Sequence, residues 1–511
     1  MIQGPSRMKI FLILTFFTLL VRLPFFFPDV IDPDESTFIL MGQDILDGNL
    51  PYEKLWDVKP PLLLLAFAMI ISFFGKTIPA VRLGGALCVL LASYFVYLSG
   101  EKTRNSRTGF IAALLLIVFS ALSPSGGGTT SEIIALVPLT GAALLFLKDE
   151  LRTGDIFFAG MLISAACMIR LNLAYMAVLA GIFLLWGRVL RSQAGAVRRM
   201  AAYIAGGAIP AALCFLPFLL SGKEKLFLVT MYEAPLKYAS SQLSLVQAVY
   251  THLARFADPG YLLQNALLLV GFLGGLVYIL LTWKRFAETT RARMSIVIFF
   301  MLATLLSILK TGEAYGHYLV QALPFVCLVA AIFLDYLLGA RKKVIVAGAL
   351  ILSLMSPASA ILAAYKPVAL RAMAGERLTY GPTYELADFL KEVNPENGPV
   401  YFMNGHIVHW FQNTKPLSRL VTHPNNIGKE YLVKAASGPS ATVESELSEL
   451  LAKDPAFIVK SPTVGYLKAH PAATAVLSEK LFMDYELITI IDEFMVYRHT
   501  GSTVQISNGR Q

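Results

Sequence analysis

The chain is a succession of apolar runs, most of them about as long as a bilayer core is thick. They fall near residues 10–27, 78–99, 108–123, 131–147, 155–171, 173–189, 200–220, 261–283, 294–310, 317–338 and 344–364. A helix rises about 1.5 Å per residue, so a run of roughly 20 residues matches a hydrocarbon core of about 30 Å. Hydrophobic residues make up 56% of the 511 and charged ones 15%. Soluble domains carry about 25% charge, so a soluble multidomain enzyme is excluded, as is a disordered chain. The four cysteines, Cys88, Cys167, Cys214 and Cys327, all lie inside apolar runs. Their spacing fits neither a metal knuckle nor a redox pair, and they read as small core hydrophobes.

The formal net charge of +9 comes from 43 Lys and Arg against 34 Asp and Glu. In a chain of membrane spans such an excess marks cytoplasmic loops and not a nucleic-acid surface. The first run follows Arg7 and Lys9 but has no small-residue cleavage site after it, which predicts an uncleaved span with a cytoplasmic N-terminus. The run at 61–75 decides the topology. It is short, and Pro60 and Pro61 lead it. If it lies at the interface, the basic loops at 100–108, Lys148/Arg152, Arg188/Arg191/Arg198/Arg199, Lys284–Arg293 and Arg341–Lys343 all face the same side. Loop charge favours that arrangement. The expectation is eleven spans plus an interfacial helix over residues 1–364, with the N-terminus inside and the C-terminus outside.

Residues 365–511 are more polar. Val400–Met403, Phe457–Val459 and Leu487–Val496 read as strands, and stretches near 383–393 and 442–453 read as helices. They predict a small extracytoplasmic α/β domain. Neither an internal repeat nor a Gly-rich nucleotide loop is found in the sequence.

The densest chemistry lies in the first outward loop, 28–60. It runs from Asp32-Pro33-Asp34-Glu35 through Gly48-Asn49-Leu50-Pro51-Tyr52 to Trp56-Asp57-Val58-Lys59-Pro60-Pro61-Leu62. A carboxylate beside low-dielectric surroundings can act as a general base, and a neighbouring cation can bind phosphate. A solvated acidic loop is the plain alternative. The order of these residues resembles the membrane glycosyltransferases of the GT-C superfamily that use polyprenyl-phosphate sugars. It is similar to protein O-mannosyltransferases and bacterial lipid A aminoarabinose transferases, and in length and tail to rhizobial lipopolysaccharide galacturonosyltransferases. The resemblance is dense over about residues 20–175, weaker in the later spans and architectural in the tail.

The resemblance implies Asp34 as the catalytic base, Glu35 as an acceptor-orienting or metal-binding acid, and Lys59 as the cation that meets the departing lipid phosphate. Asp57 departs from the family pattern, because Val58 separates it from the lysine; it is retained as a substrate-binding candidate. Gly126-Gly127-Gly128-Thr129-Thr130-Ser131-Glu132 resembles a small/polar-to-acid element of these enzymes, although glycines also make tight turns and Glu132 can cap a helix. Arg170, with Asn172, interrupts an apolar run and suits a phosphate; snorkelling to the interface is the alternative. Lys310 and the His317-Tyr318 pair form another outward turn that resembles a late element of the bacterial members. Lys310 is a phosphate-binding candidate, and His317 and Tyr318 are substrate-binding candidates. A divalent ion is a candidate cofactor, with Glu35, Asp57 and His317 as its candidate ligands.

These readings describe an inverting glycosyltransferase at the outer face of a cytoplasmic (inner) membrane. Its donor is a polyprenyl-phosphate sugar, and its acceptor is a hydroxyl of lipopolysaccharide or another envelope glycan. No nucleic acid is involved. Protein O-glycosylation is the alternative acceptor chemistry. From other classes, a lipid flippase or transporter would show paired halves and mid-membrane charges, and a non-catalytic assembly scaffold would tolerate loss of Asp34 and Lys59.

Overall fold

The computed structural model describes residues 6–186, 193–240, 244–339 and 343–501. Arg188, Arg191, Arg341 and Lys342, four of the basic loop positions, lie outside the described residues. The chain is a polytopic α-helical membrane protein with a small C-terminal β-sheet domain.

Five helices among the described residues are long and apolar enough to cross a membrane: Arg7–Phe26, Ile78–Thr103, Gly195–Leu220, Pro259–Arg285 and Glu288–Leu309. Six more are apolar but shorter, from the 14-residue Pro61–Phe74 to the 17-residue Ser106–Leu122 and Thr153–Ile169. At about 1.5 Å per residue these reach roughly 21–26 Å, short of the hydrocarbon core. The expected eleven spans are therefore corrected to five by length and composition. Hydropathy overcounts because an apolar run does not stop where its helix stops. The run at 155–171 includes Arg170, yet the helix ends at Ile169 and Arg170 is extended (φ −139°).

Two compact units emerge, each gathered from three separate stretches. The first comprises Met1–Phe26, Val81–Cys214 and Ser241–Glu376. Its helices approach closely where side chains are missing. A Cβ on Gly109 would run into the Tyr97 carbonyl, and one on Gly100 into the backbone of Gly109, so Ile78–Thr103 and Ser106–Leu122 touch backbone to backbone. Polar groups of this unit collect at its opposite ends. At one end Arg7 pairs with Glu101 (2.8 Å), Arg104 and Arg107 with Asp335, and Arg293 with Asp149 and the Lys102 carbonyl. These ties bring together loops that the sequence marks as basic.

The second unit comprises Phe27–Ala80, Phe215–Ser240 and Arg377–Gln511. Its sheet is built from β1 (Val400–Phe402), β2 (Phe457–Lys460), β3 (Tyr485–Ile491) and β4 (Phe494–His499), in the order β1-β2-β4-β3. β1 and β2 are parallel and the other pairs antiparallel. The stretch 487–496, expected as one strand, is a hairpin. It reverses at Asp492, whose φ of 50° is the left-handed conformation a tight turn uses. Leu386 and Leu390 of helix Pro382–Val393 pack with Phe402, Phe457, Val459 and Phe494 as the core. Within this unit the tail is tied to the stretch that begins at Phe27. Asp29 donates its N–H to the Tyr380 carbonyl (2.8 Å), and its carboxylate accepts both the N–H and the hydroxyl of Thr383 (2.8 Å each).

His409 is buried beside the Phe402 ring (centroids 4.7 Å apart), with Nδ1 at 2.8 Å from the Thr414 hydroxyl. Burial pushes its imidazole down to about 3. An unfolded histidine titrates near pH 6.5. Above that pH both states are neutral; below it the unfolded chain takes a proton that the fold refuses. The resulting loss of stability grows down to about pH 3, at a limiting slope of about 1.4 kcal/mol per pH unit for one proton. Thermal unfolding followed by tryptophan fluorescence should therefore show a falling midpoint between about pH 7 and about pH 4.5. His409→Gln, which keeps a polar partner for Thr414 but cannot titrate, should make that fall shallower.

Candidate active site

In the second unit the sequence builds the site from the start of one helix and the approach to the next. Asp32 caps Pro33–Leu46, its carboxylate accepting the Asp34 N–H at 2.9 Å, and Pro33 takes the first helical position, where no N–H is needed. Asp34 and Glu35 thus occupy the first turn, where the helix dipole favours anions. The chain then turns through Gly48 (φ 89°) and Tyr52 (φ 70°). Tyr52 is buried against the Phe218 ring, and its hydroxyl donates to the Lys59 carbonyl at 2.6 Å. That bond fixes the backbone of Lys59 just before Pro60 and Pro61 open the helix Pro61–Phe74.

Lys59 Nζ lies 2.8 Å from Asp34 Oδ2 and 5.3 Å above the Phe38 ring. The other carboxylate oxygen, Oδ1, lies 3.1 Å from Nε2 of His423. Burial on its own would raise the Asp34 pKa. The Lys59 ammonium and the His423 hydrogen bond outweigh it and hold the carboxyl well below its usual range. Glu35 is fully buried at the next position. Asp57 is also buried; Oδ2 accepts from the Asn426 side chain at 3.2 Å, and Oδ1 has no hydrogen-bond partner among the described residues.

The first unit gathers a separate set of the expected residues. Arg22 donates to the carbonyls of Gly126, Gly127 and Gly128, which shapes the glycine turn (3.0–3.5 Å). Thr130 caps the following helix and places buried Glu132 in its first turn. Arg170 ends the helix Thr153–Ile169. Its guanidinium bonds to Glu132 and to the Ser131 hydroxyl (2.8 Å) and lies 4.4 Å over the Tyr318 ring. His317 Nε2 is 3.8 Å from the same Glu132 carboxylate. The structure therefore brings Glu132, Arg170, His317 and Tyr318 together. Arg170 is buried and turned to an acid, which differs from snorkelling, and Glu132 does more than cap a helix. Lys310 is exposed at the end of Glu288–Leu309, with no ion pair to this group among the described residues.

One group among the described residues has metal-ligand geometry: Asp454, Asp484 and His499, with ligand atoms within 4.8 Å of one another. A divalent ion is thus a cofactor the chain can accommodate, although Lys480 already neutralises both acids at 2.6 and 2.7 Å. Glu35, Asp57 and His317 do not form such a group among the described residues; the orphaned Oδ1 of Asp57 is the one atom there that a cation would suit. A 530 Å³ cavity in the tail, lined by Lys460, Lys468, Leu477 and Phe482, contains none of the expected site residues.

Sequence reading missed the tail's contribution to the first loop. His423 meets Asp34, His406 meets the Thr37 hydroxyl (3.1 Å), and Thr422 and Asn426 meet Trp56 and Asp57. One signal was available: three of the chain's seven histidines lie between residues 406 and 423.

Comparison with known proteins bears on this arrangement. Residues 58–220, less than half of the chain, match the family described as dolichyl-phosphate-mannose-protein mannosyltransferase. The fold is similar to that of ArnT from Cupriavidus metallidurans bound to undecaprenyl phosphate, over 97% of this chain and 98% of that one, at 14% identity and a TM-score of 0.57. ArnT from the same organism in the apo state gives 0.59 at 14% identity, over 96% and 97% of the two chains. The oligosaccharyltransferase AglB from Archaeoglobus fulgidus, in complex with an inhibitory peptide and a dolichol-phosphate, gives 0.53 at 14% identity, over 98% of this chain and 75% of that one. No curated protein matches in sequence. Identity this low shows a shared fold. The matched family is, by its description, one of sugar-transferring enzymes.

The Arg170–Glu132 pair is testable by stability. Glu132→Gln leaves a buried guanidinium without its acid and should cost about 3 kcal/mol, read as a lower unfolding midpoint in detergent. Adding Arg170→Gln should recover part of that loss, because the stranded charge is removed with its partner.

Proposed function

We propose that the protein is an inverting glycosyltransferase that moves a sugar from a polyprenyl-phosphate donor to an acceptor hydroxyl. One observation carries the reading: a carboxylate and a lysine, 2.8 Å apart, sit at the paired starts of helices Pro33–Leu46 and Pro61–Phe74. Asp34 takes the proton of the acceptor hydroxyl as its oxygen attacks the anomeric carbon. Lys59 stabilises the negative charge that develops on the departing phosphate. Asp34, held as a carboxylate, has the protonation state a base needs. The proposal also retains Glu35 as an acceptor-orienting acid, Arg170 and Lys310 as phosphate-binding cations, and Asp57, Glu132, His317 and Tyr318 as substrate-binding groups.

Support for a lipid-phosphate donor comes from the relatives of the same fold, whose structures hold undecaprenyl phosphate and dolichol-phosphate. We place the reaction at the outer face of a cytoplasmic membrane, with the basic end of the first unit inside. The acceptor we favour is a lipopolysaccharide or other envelope glycan. A protein hydroxyl is the second reading, and the protein mannosyltransferase match over residues 58–220 favours it. Should an ion take part, Asp57 is the residue we assign to hold it; its chemistry would be added charge stabilisation.

The test is transfer by the purified full chain from a defined set of polyprenyl-phosphate sugars. Extracted envelope lipids and a Ser/Thr-rich peptide serve as separate acceptors, each with and without chelator. Asp34→Asn should lower turnover about 100-fold or more, read below an unfolding midpoint that itself falls because Lys59 loses its acid. Lys59→Met should also lower turnover and weaken inhibition by free polyprenyl phosphate. Full turnover in Asp34→Asn would remove the base assignment, and absence of transfer with every donor would favour a transporter or scaffold.

A further inference from the structure

We infer that His423, from the C-terminal region, is a positioning residue for Asp34: it fixes one carboxylate oxygen so that the other receives the acceptor's proton. The inference rests on Asp34 being the base and goes beyond it by assigning a role to a residue 389 positions away.

The direction of the hydrogen bond follows from its neighbours. His423 stands at the entrance to the short turn Pro424–Gly428, where its Nδ1 accepts the Asn425 N–H at 3.2 Å. A nitrogen that accepts carries no proton, so the proton of the neutral ring is on Nε2. Nε2 lies 3.1 Å from Asp34 Oδ1 and donates to it. Lys59 takes the other oxygen, Oδ2, at 2.8 Å. The two oxygens therefore have different fates. Oδ1 is held by a ring that stays in place through the reaction, whereas Oδ2 is held by the cation assigned to the donor phosphate.

The turn that carries the ring is held from several sides. Trp56 donates its N–H to the Arg419 carbonyl (3.0 Å) and to the Thr422 hydroxyl (3.2 Å). The Thr37 hydroxyl lies 3.4 Å from the Thr422 carbonyl, and Asn426 reaches Asp57 at 3.2 Å. Bonds on both flanks of His423 thus attach the turn to the helix that carries Asp34 and to the strand of loop that precedes Lys59. Orienting groups of this kind carry about 10- to 100-fold of a site's effect when they are lost.

When the donor's phosphate draws the Lys59 ammonium away, Oδ2 is left as the open oxygen. The acceptor's O–H proton passes to Oδ2 while its electron pair forms the new bond to the anomeric carbon. The bond from that carbon to the phosphate oxygen breaks, and the electron pair departs on the polyprenyl phosphate. The charged and titratable groups near Asp34 are Lys59 and His423 in direct contact, His406 behind His423 (ring centroids 5.7 Å apart), and Asp32 and Glu35 on its own helix.

The experiment measures kcat/KM against pH for the full chain with the polyprenyl-phosphate sugar found active above, alongside the unfolding midpoint of each variant. His423→Ala should lower kcat/KM about 10- to 100-fold with little change in donor KM. It should also move the acid limb of the profile to higher pH, because a carboxylate that loses a donor becomes more basic. His423→Gln sets an amide N–H near the position of Nε2 and should restore the limb; His423→Asn, too short to reach Asp34, should not. Should the alanine variant fail to fold, the Gln and Asn variants carry the same comparison. An unmoved acid limb in His423→Ala, or Gln and Asn variants that behave alike, would overturn the inference. Those outcomes with Asp34→Asn inactive reject the role of His423 alone, whereas an active Asp34→Asn rejects the base itself.

Discussion

A charge withdrawn from water must be met by an opposite charge or by several dipoles, and in so apolar a chain that requirement organises the structure. Several of the partners come from far along the sequence. Asp335 is answered by Arg104 and Arg107 across more than two hundred residues, Arg22 by three glycine carbonyls, and Arg170 by Glu132. Asp34 is held on both oxygens, by Lys59 on one and His423 on the other. These ties do more than cancel charge. Each one sets the distance between two helices or a helix and a loop, so placing the charges and placing the backbone are one event.

The parts of this arrangement that depend on neighbouring residues are legible in the sequence. Pro60-Pro61 announces a helix start, and the helix forms there, whereas the capped helix Pro33–Leu46 lies inside a stretch, 28–60, that reads as an outward loop. The basic loops at 100–108 and Lys284–Arg293 read as sharing one side, and Arg293 does reach the Lys102 carbonyl; Asp335, inside an apolar run, gives no such signal. Helix length is not legible in the same way. Hydropathy averages over side chains, while a helix ends at a backbone event such as the extended Arg170 or the cap at Thr130. The hairpin at 485–499 was hidden for a related reason. Its turn is made by Asp492 adopting a left-handed φ, and Asp492-Glu493 is not a strong turn pair by composition.

The site divides along the same line. Asp34 and Lys59 are 25 positions apart within one loop, close enough for order and spacing to signal a function. His423 is 389 positions from Asp34, and a histidine followed by proline reads only as a turn. Nothing in a single sequence states that the N-cap of a five-residue turn in the tail will face the first helix of the outward loop. Three histidines in eighteen residues were the visible trace. They differ in what they do: His409 is a buried aromatic wedge under Phe402, His406 meets Thr37, and His423 reaches the carboxylate.

The tail is therefore part of the candidate site within its own unit and not an appendage to it. The segment 419–426 contributes a carbonyl, a hydroxyl, an imidazole and an amide to residues 34–57, while Asp29 and Thr383 tie the two stretches at their origin. A loop of this length rich in acids would otherwise repel itself and sample many conformations. Tied at both ends by Asp29 and Tyr52, and across its middle by Trp56 and Asp57, it presents Asp34 in a single orientation. Preorganisation of that kind suits the role of base proposed for Asp34. The stretch from Arg419 to Asn426 is held to the geometry of the carboxylate beside it.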